Sequence, residues 1–225
     1  MFILLVLMVR NESRILERCL ASAVPFVDAV LVADTGSTDS TVAIAKAFDA
    51  KPLKVVKNTW QNFGVNRTQS IEAAREYASS LGWGLDLTYA LVLDADMCLK
   101  GSPEGLRQRL QENPSGALLL QKSDIVYFNT RLMRLSDPWF CEGVTHEYWT
   151  GETSHVPLFE EAWIDDVGDG GCKADKFERD ERLLLAGLQE KPCARYMFYL
   201  AQTYHCTNRH AEAIEWYQKR IQEGG

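Results

Sequence analysis

Four short apolar runs alternate with segments of helical spacing across the first hundred residues, and this alternation leaves the chain few folds to choose from. Ile3 to Val9 is apolar without a break, as a strand buried on both faces must be. Behind a polar Asn11-Glu12-Ser13 start, Ile15, Leu16, Cys19, Leu20 and Ala23 recur at helical spacing. Ala29 to Ala33 predicts a second strand. Val42, Ala45 and Phe48 predict a second helix, with Thr38 and Asp39 as cap candidates. A third strand is expected at Lys54 to Val56, a helix from about Asn66 to Leu81, and a fourth strand from Tyr89 to Leu93, ending at Asp94. Strands separated by helices make βαβ units, hence a parallel sheet covered on both faces, and such sheets bind ligands beyond the carboxyl ends of their strands.

Further on the pattern changes. Ala117 to Gln121, Ile125 to Phe128, Thr130 to Leu135 and Val144 to Trp149 read as antiparallel additions. A long loop is expected from about Thr150 to Ala174, marked by Gly151, Pro157, Gly168, Gly170, Gly171 and the acidic Asp165-Asp166. After Lys176 the chain reads as helix. Met197, Leu200, Ala201, Tyr204, Ala213 and Tyr217 fall at the spacing of a tetratricopeptide repeat. One such unit cannot bury its own apolar face. The expectation is therefore an α/β domain over 1–175 and a helical tail over 176–225 that docks on it, in a fragment of a longer protein.

Composition removes whole classes of function. With 24 basic against 31 acidic residues the net charge is −7, and no basic stripe exists, so a general nucleic-acid binder is excluded. The longest apolar run, Phe2 to Val9, is too short for a membrane span and lacks the flanks of a signal peptide. Six cysteines stand singly with no CxxC pair, which argues against a zinc ribbon or a disulfide framework and predicts reduced thiols in a cytoplasmic setting.

Two strand ends carry chemistry. Asp34-Thr35-Gly36-Ser37-Thr38-Asp39-Ser40-Thr41 sets a carboxylate at a strand tip, then a glycine turn, then hydroxyls at a helix start, where a nucleotide lies in such sheets. It lacks the lysine and outer glycine of a phosphate-gripping P-loop. Leu93-Asp94-Ala95-Asp96 places two carboxylates on one face of a strand end, a pair of hard oxygens suited to Mg²⁺ or Mn²⁺ beside a diphosphate.

Together, Arg10-Asn11-Glu12 after the first strand, the Asp34 to Thr41 segment, Asn66-Arg67 and Asp94-Ala95-Asp96 resemble family 2 glycosyltransferases of the GT-A fold. Gly143-Val144-Thr145-His146-Glu147, the stretch from Asp169 to Asp180 and the repeat-like tail are similar to the branch whose catalytic domain precedes tetratricopeptide repeats. The resemblance implies a Rossmann-like mixed sheet with helices on both faces and a C-terminal helical segment. It also implies a nucleoside-diphosphate-sugar donor, with UDP the expected nucleotide, and a glycan, protein or lipid-linked sugar as acceptor. Arg10, Asn11, Glu12 and Asp34 would hold base and ribose, Asp94 ribose or sugar, and Arg67 the nucleotide or phosphates, while Asp96 of this DXD triplet would ligate the metal. The anomeric centre should invert.

His146 is a candidate third metal ligand or diphosphate contact and Glu147 the candidate general base, although on a regular strand the two would face opposite ways unless the backbone bends. Asp175 and Asp124 stand in reserve as bases. Lys173 and Lys176 are candidates to close over the diphosphate, Trp139 and Tyr127 to stack on a sugar, and the repeat to hold a protein partner. Two rivals are a sugar-1-phosphate nucleotidyltransferase, whose glycine-rich, lysine-containing loop is replaced here by Arg10-Asn11-Glu12, and a binding module without catalysis, against which Asp94 and Asp96 argue.

Overall fold

A computed structural model of the chain describes residues 1–112, 117–122, 125–151, 157–171 and 175–224. The four expected strands are present as β1 (Phe2–Val9), β2 (Ala29–Asp34), β3 (Leu53–Lys57) and β4 (Thr88–Leu93), all parallel, in the spatial order β3-β2-β1-β4. The helices between them are α1 (Leu16–Ala23), α2 (Thr41–Ala47) and α3 (Phe63–Ser80), the last opened by Asn62, whose side chain accepts from the Val65 N–H. The strands are buried on both faces, as their unbroken apolarity requires. On β1, Ile3, Leu5, Leu7 and Val9 pack with Leu16, Cys19, Leu20 and Ala23 of α1, whereas Leu4 and Val6 pack with Ile71, Ala74 and Ala78 of α3.

The second half extends this sheet through β5 (Met97–Gly101), β6 (Ala117–Lys122), β7 (Val126–Arg134) and, after the short pair β8 (Phe140–Glu142) and β9 (Tyr148–Thr150), β10 (Leu158–Asp166); α4 (Pro103–Glu112) lies between β5 and β6. The complete order is β3-β2-β1-β4-β7-β6-β10-β5, with β7 antiparallel to β4 and β6 but β10 parallel to β6. Three expectations need correction. The two runs on either side of Asn129 are one strand. The region read as a loop from Thr150 to Ala174 contains nine-residue β10, hidden in the sequence because a register shift between Phe159 and Trp163 breaks its alternation and two acidic pairs, Glu160-Glu161 and Asp165-Asp166, lie within it. And Val144 to Glu147 is a turn with His146 at φ 51°, so only Tyr148 to Thr150 pairs as strand.

The tail forms α5 (Lys176–Glu190), α6 (Ala194–Cys206) and α7 (His210–Glu223). Leu183, Leu184, Leu200, Tyr204 and Ala213 make a third apolar cluster, and that cluster reaches Val144, Trp60 and Phe63 on the other side of the line drawn at residue 175. Beyond the cluster, α7 leaves Ile214 and Ile221 exposed at 58% and 71%. Among the described residues no helix is long and apolar enough to cross a membrane.

Candidate active site

A cleft of about 340 Å³ opens at the carboxyl ends of β1 and β4. Met8, Val9, Arg10 and Glu12 line it from the β1 end, Thr35 from the turn after β2, and Asp94, Ala95, Asp96 and Met97 from the β4 end. Trp60, Phe63 and Arg67 come from α3 and its approach, Asp166 and Gly170 from the end of β10 and beyond, Lys176 and Arg179 from α5. Acidic and basic side chains therefore line one cavity of ligand size.

Arg67 organises the acidic wall. Its Nη2 donates to Asp94 Oδ1 at 2.8 Å and its Nε to Glu147 Oε1 at 2.6 Å. Behind Asp94 lies Arg131, 6% exposed, with Nη1 3.7 Å from Asp94 Oδ2 and Nη2 donating to Gln121 Oε1 at 2.8 Å. Gln121 Nε2 then donates to Asp166 Oδ2 at 2.8 Å. Burial works to raise the Asp94 pKa, but the two guanidinium groups outweigh it and hold the carboxyl below its ordinary value. Asp96 is the opposite case. Burial and the charges of Asp94 and Asp166 push its carboxyl up, and burial pushes up Glu12 as well, with Asp96, Asp39 and Asp94 adding to it. A β-carbon on Gly170 would stand 3.0 Å from Asp96 Oδ2, and the Gly171 N–H donates to Glu12 Oε2, so the segment after β10 closes down on the acids.

The turn after β2 is knit to β1 by side chains. The Asn11 N–H donates to Ser37 Oγ and Asn11 Oδ1 accepts from the Thr38 N–H at 2.7 Å, with Asn11 itself at φ 57°. Asp34 is 3% exposed and accepts from the Ser37 N–H, so its carboxylate supports the turn and Thr35 reaches the cleft beside it. Asp39 accepts from the N–H groups of Thr41 and Ser13 and joins α2 to the approach of α1. Some burial opposes its charge, but these bonds win and bring the carboxyl down to about 2. A carboxylate depressed in the folded state stabilises it above the unfolded value near pH 4, and that contribution is lost as pH falls through the folded value. Asp39→Asn should therefore flatten the acid limb of a stability profile between about pH 4 and pH 2; an unaltered limb in urea titrations would show that Asp39 does not carry it.

Of the expected site residues, Arg10, Glu12, Arg67, Asp94, Asp96 and Lys176 line the cleft, while Asn11 and Asp175 line an adjoining polar cavity of about 530 Å³ with Arg10, Arg179 and Arg182. Lys173 and Asp124 lie outside the described residues. His146 is not beside Asp96. Its ring stacks on Tyr199 at 4.0 Å and its Nε2 is 3.9 Å from Asp180 Oδ2, because the turn that carries it faces α5 and α6. No group of three or more His, Cys, Asp or Glu side chains among the described residues is arranged to hold a metal ion. Glu147 is off the cleft lining and anchors Arg67, so the contacts it makes are not those of a base facing an acceptor. Trp139 is 4% exposed within the core beneath α3 and cannot stack on a sugar, whereas Tyr127 is 38% exposed. Sequence reasoning missed Asp166, which repeats the acid-at-strand-end signal of Asp34 and Asp94 on an unrecognised strand, and Arg131, one of two arginines within β7.

A parallel core sheet extended by antiparallel strands, with an acidic pair closing β4 at a cleft of this kind, defines a GT-A glycosyltransferase fold. In sequence, residues 5–159 match the model of glycosyl transferase family 2, and the chain belongs to that family. A TPR repeat-containing protein of Synechococcus elongatus is 41% identical over 93 residues, which is 41% of this chain and 20% of that protein, so the chain spans about a fifth of that relative's length. Residues 1–349 of S. aureus TarS share the fold at a TM-score of 0.51 and 16% identity, covering 90% of this chain and 70% of that one. The same fragment in complex with UDP gives a TM-score of 0.52 at 14% identity, again over 90% and 70%.

Proposed function

We propose that this chain transfers a sugar from a nucleoside-diphosphate sugar, with UDP as the nucleotide, to an acceptor hydroxyl with inversion at the anomeric carbon. The observation that carries the reading is that acidic and basic groups line one cleft together, Asp94, Asp96 and Asp166 with Lys176 and Arg179. The TarS fragment binds UDP, and the family match supports the same donor class here.

Mn²⁺ or Mg²⁺ fits Asp96. Asp94 is held by Arg67 and Arg131, whereas burial and its acidic neighbours raise Asp96, which has no ion-pair partner among the described residues. Mg²⁺ is commonly held by only one or two carboxylates, the remainder of its shell coming from phosphates and water. A divalent ion bound there would supply Lewis-acid stabilisation of the departing diphosphate.

The chain's own groups do the rest. Lys176, Arg179 and Arg10 meet the negative charge that grows on the diphosphate as the bond from the anomeric carbon to its oxygen breaks. Arg67 holds Asp94 against the donor. The acceptor oxygen forms the new bond and gives its proton to a carboxylate; for Glu147 to take it, that side chain must leave Arg67. The helical tail is proposed as a tetratricopeptide unit open to a protein partner, and the cytoplasm as the compartment.

The test is donor hydrolysis across UDP-, GDP- and dTDP-sugars. One UDP-sugar should be turned over with Mn²⁺ or Mg²⁺, and EDTA should abolish it. Turnover of none of them, with no binding of UDP by calorimetry, would remove the reading.

A further inference from the structure

The turn from Gly143 to Tyr148 is gripped from two sides. On one side its carbonyls cap α3: the Phe63 N–H donates to Val144 O at 3.2 Å and the Gly64 N–H to Gly143 O at 3.0 Å. The approach is so close that a β-carbon on Gly64 would lie 2.5 Å from Gly143 O. On the other side, Thr145 Oγ1 donates to Asp180 Oδ1 of α5 at 3.0 Å, with Asp180 itself 2% exposed. Arg195 of α6 donates from Nη2 to the His146 carbonyl at 2.6 Å, and its guanidinium lies over the rings of Tyr148 and Tyr199 at 4.7 and 5.0 Å. Both helices lie beyond residue 159, where the family match ends.

The backbone of His146 is left-handed, at φ 51°, a strained conformation for a residue with a β-carbon that persists only where the surroundings enforce it. Those surroundings are α3 on one side and the tail on the other, and it is the tail that grips the two residues just before Glu147, Thr145 through Asp180 and the His146 carbonyl through Arg195. The next residue is Glu147, which holds Arg67, which holds Asp94 at the cleft. We infer that Arg195 is a positioning residue for the active site: by fixing the His146 carbonyl it sets the turn so that Glu147 meets Arg67. The tail helices are thus part of the transferase machinery. The inference takes its activity readout from the function proposed above, but its structural arm is independent of it.

The experiment compares Arg195→Ala in the full chain with wild type and in a Glu147→Ala background. Amide hydrogen exchange over residues 143–148 should quicken about tenfold or more in Arg195→Ala, whatever the reaction. In turnover of the UDP-sugar found by the donor screen, kcat should fall about tenfold in the wild-type background and hardly further in the Glu147→Ala background, since residues acting in one chain are not additive. Unchanged exchange over 143–148, or the same fold-loss of kcat in both backgrounds, would overturn the inference. If the wild-type chain turns over no donor, the proposed function falls and the exchange result alone decides this one. The same holds if Glu147→Ala does not fold.

Discussion

Arg67→Met should cost the fold about 3–5 kcal/mol at neutral pH, the usual result of breaking a buried ion pair from one side. The arginine side chain is 12% exposed and joins two acids that are themselves only 28% and 15% exposed, Asp94 and Glu147. Methionine fills much of the volume and none of the charge. Arg131, 3.7 Å from Asp94, meets part of that carboxylate's charge, but Glu147 loses the only cation described at hydrogen-bonding distance from it. The sign with pH follows from Asp94. Its folded pKa is depressed, so the stabilisation is complete above the ordinary aspartate value and is lost as pH falls through the lower, folded one. The penalty of Arg67→Met in urea denaturation should therefore shrink as pH drops below the ordinary aspartate range. A penalty that stays constant down that range would mean packing, and not charge, holds the arginine in place.

Asp96→Asn should move stability and activity in opposite directions. The wild-type carboxyl is pushed up by burial and by Asp94 and Asp166, with Glu12 close by, so ionising it works against the ligand-free fold. Asparagine keeps the shape and removes that repulsion. A gain of about 0.5–2 kcal/mol is usual when a functional strain is relieved, and in a chain of this size each kcal/mol is worth about 2–4 °C in Tm. Donor turnover should meanwhile fall by about a hundredfold or more, since the group that would meet the cation is gone. A lower Tm for the ligand-free variant, or full turnover, would show that Asp96 is a structural carboxylate.

The parts of the fold legible in the sequence are those in which local pattern and environment agree. The unbroken apolar runs of β1, β2 and β4 could only be strands covered on both faces, and each of these strands is paired in parallel as their helix-separated order requires. Asp94 and Asp96 were legible for the same reason, because a strand end in a parallel sheet is already a ligand edge. The β10 strand was not, since its bulge breaks the period and its acidic pairs imitate a loop. Nor was the bend at His146, a conformation that no β-rich composition announces.

The sequence by itself determined the class of fold, the strand-end edge where the cleft lies and the acidic pair at it, because these follow from periodicity within a few residues. Only the tertiary structure decided what surrounds that pair. Arg67 and Glu147 are 80 positions apart, Gln121 and Asp166 are 45 apart, and Arg195 reaches His146 across 49. Such pairings depend on strand order and helix docking, which set distances that no local pattern encodes. A carboxylate expected to serve as base became an arginine's anchor, and a histidine expected at the metal became the tail's point of grip, because the turn that carries both is held between α3 and the last helices of the chain.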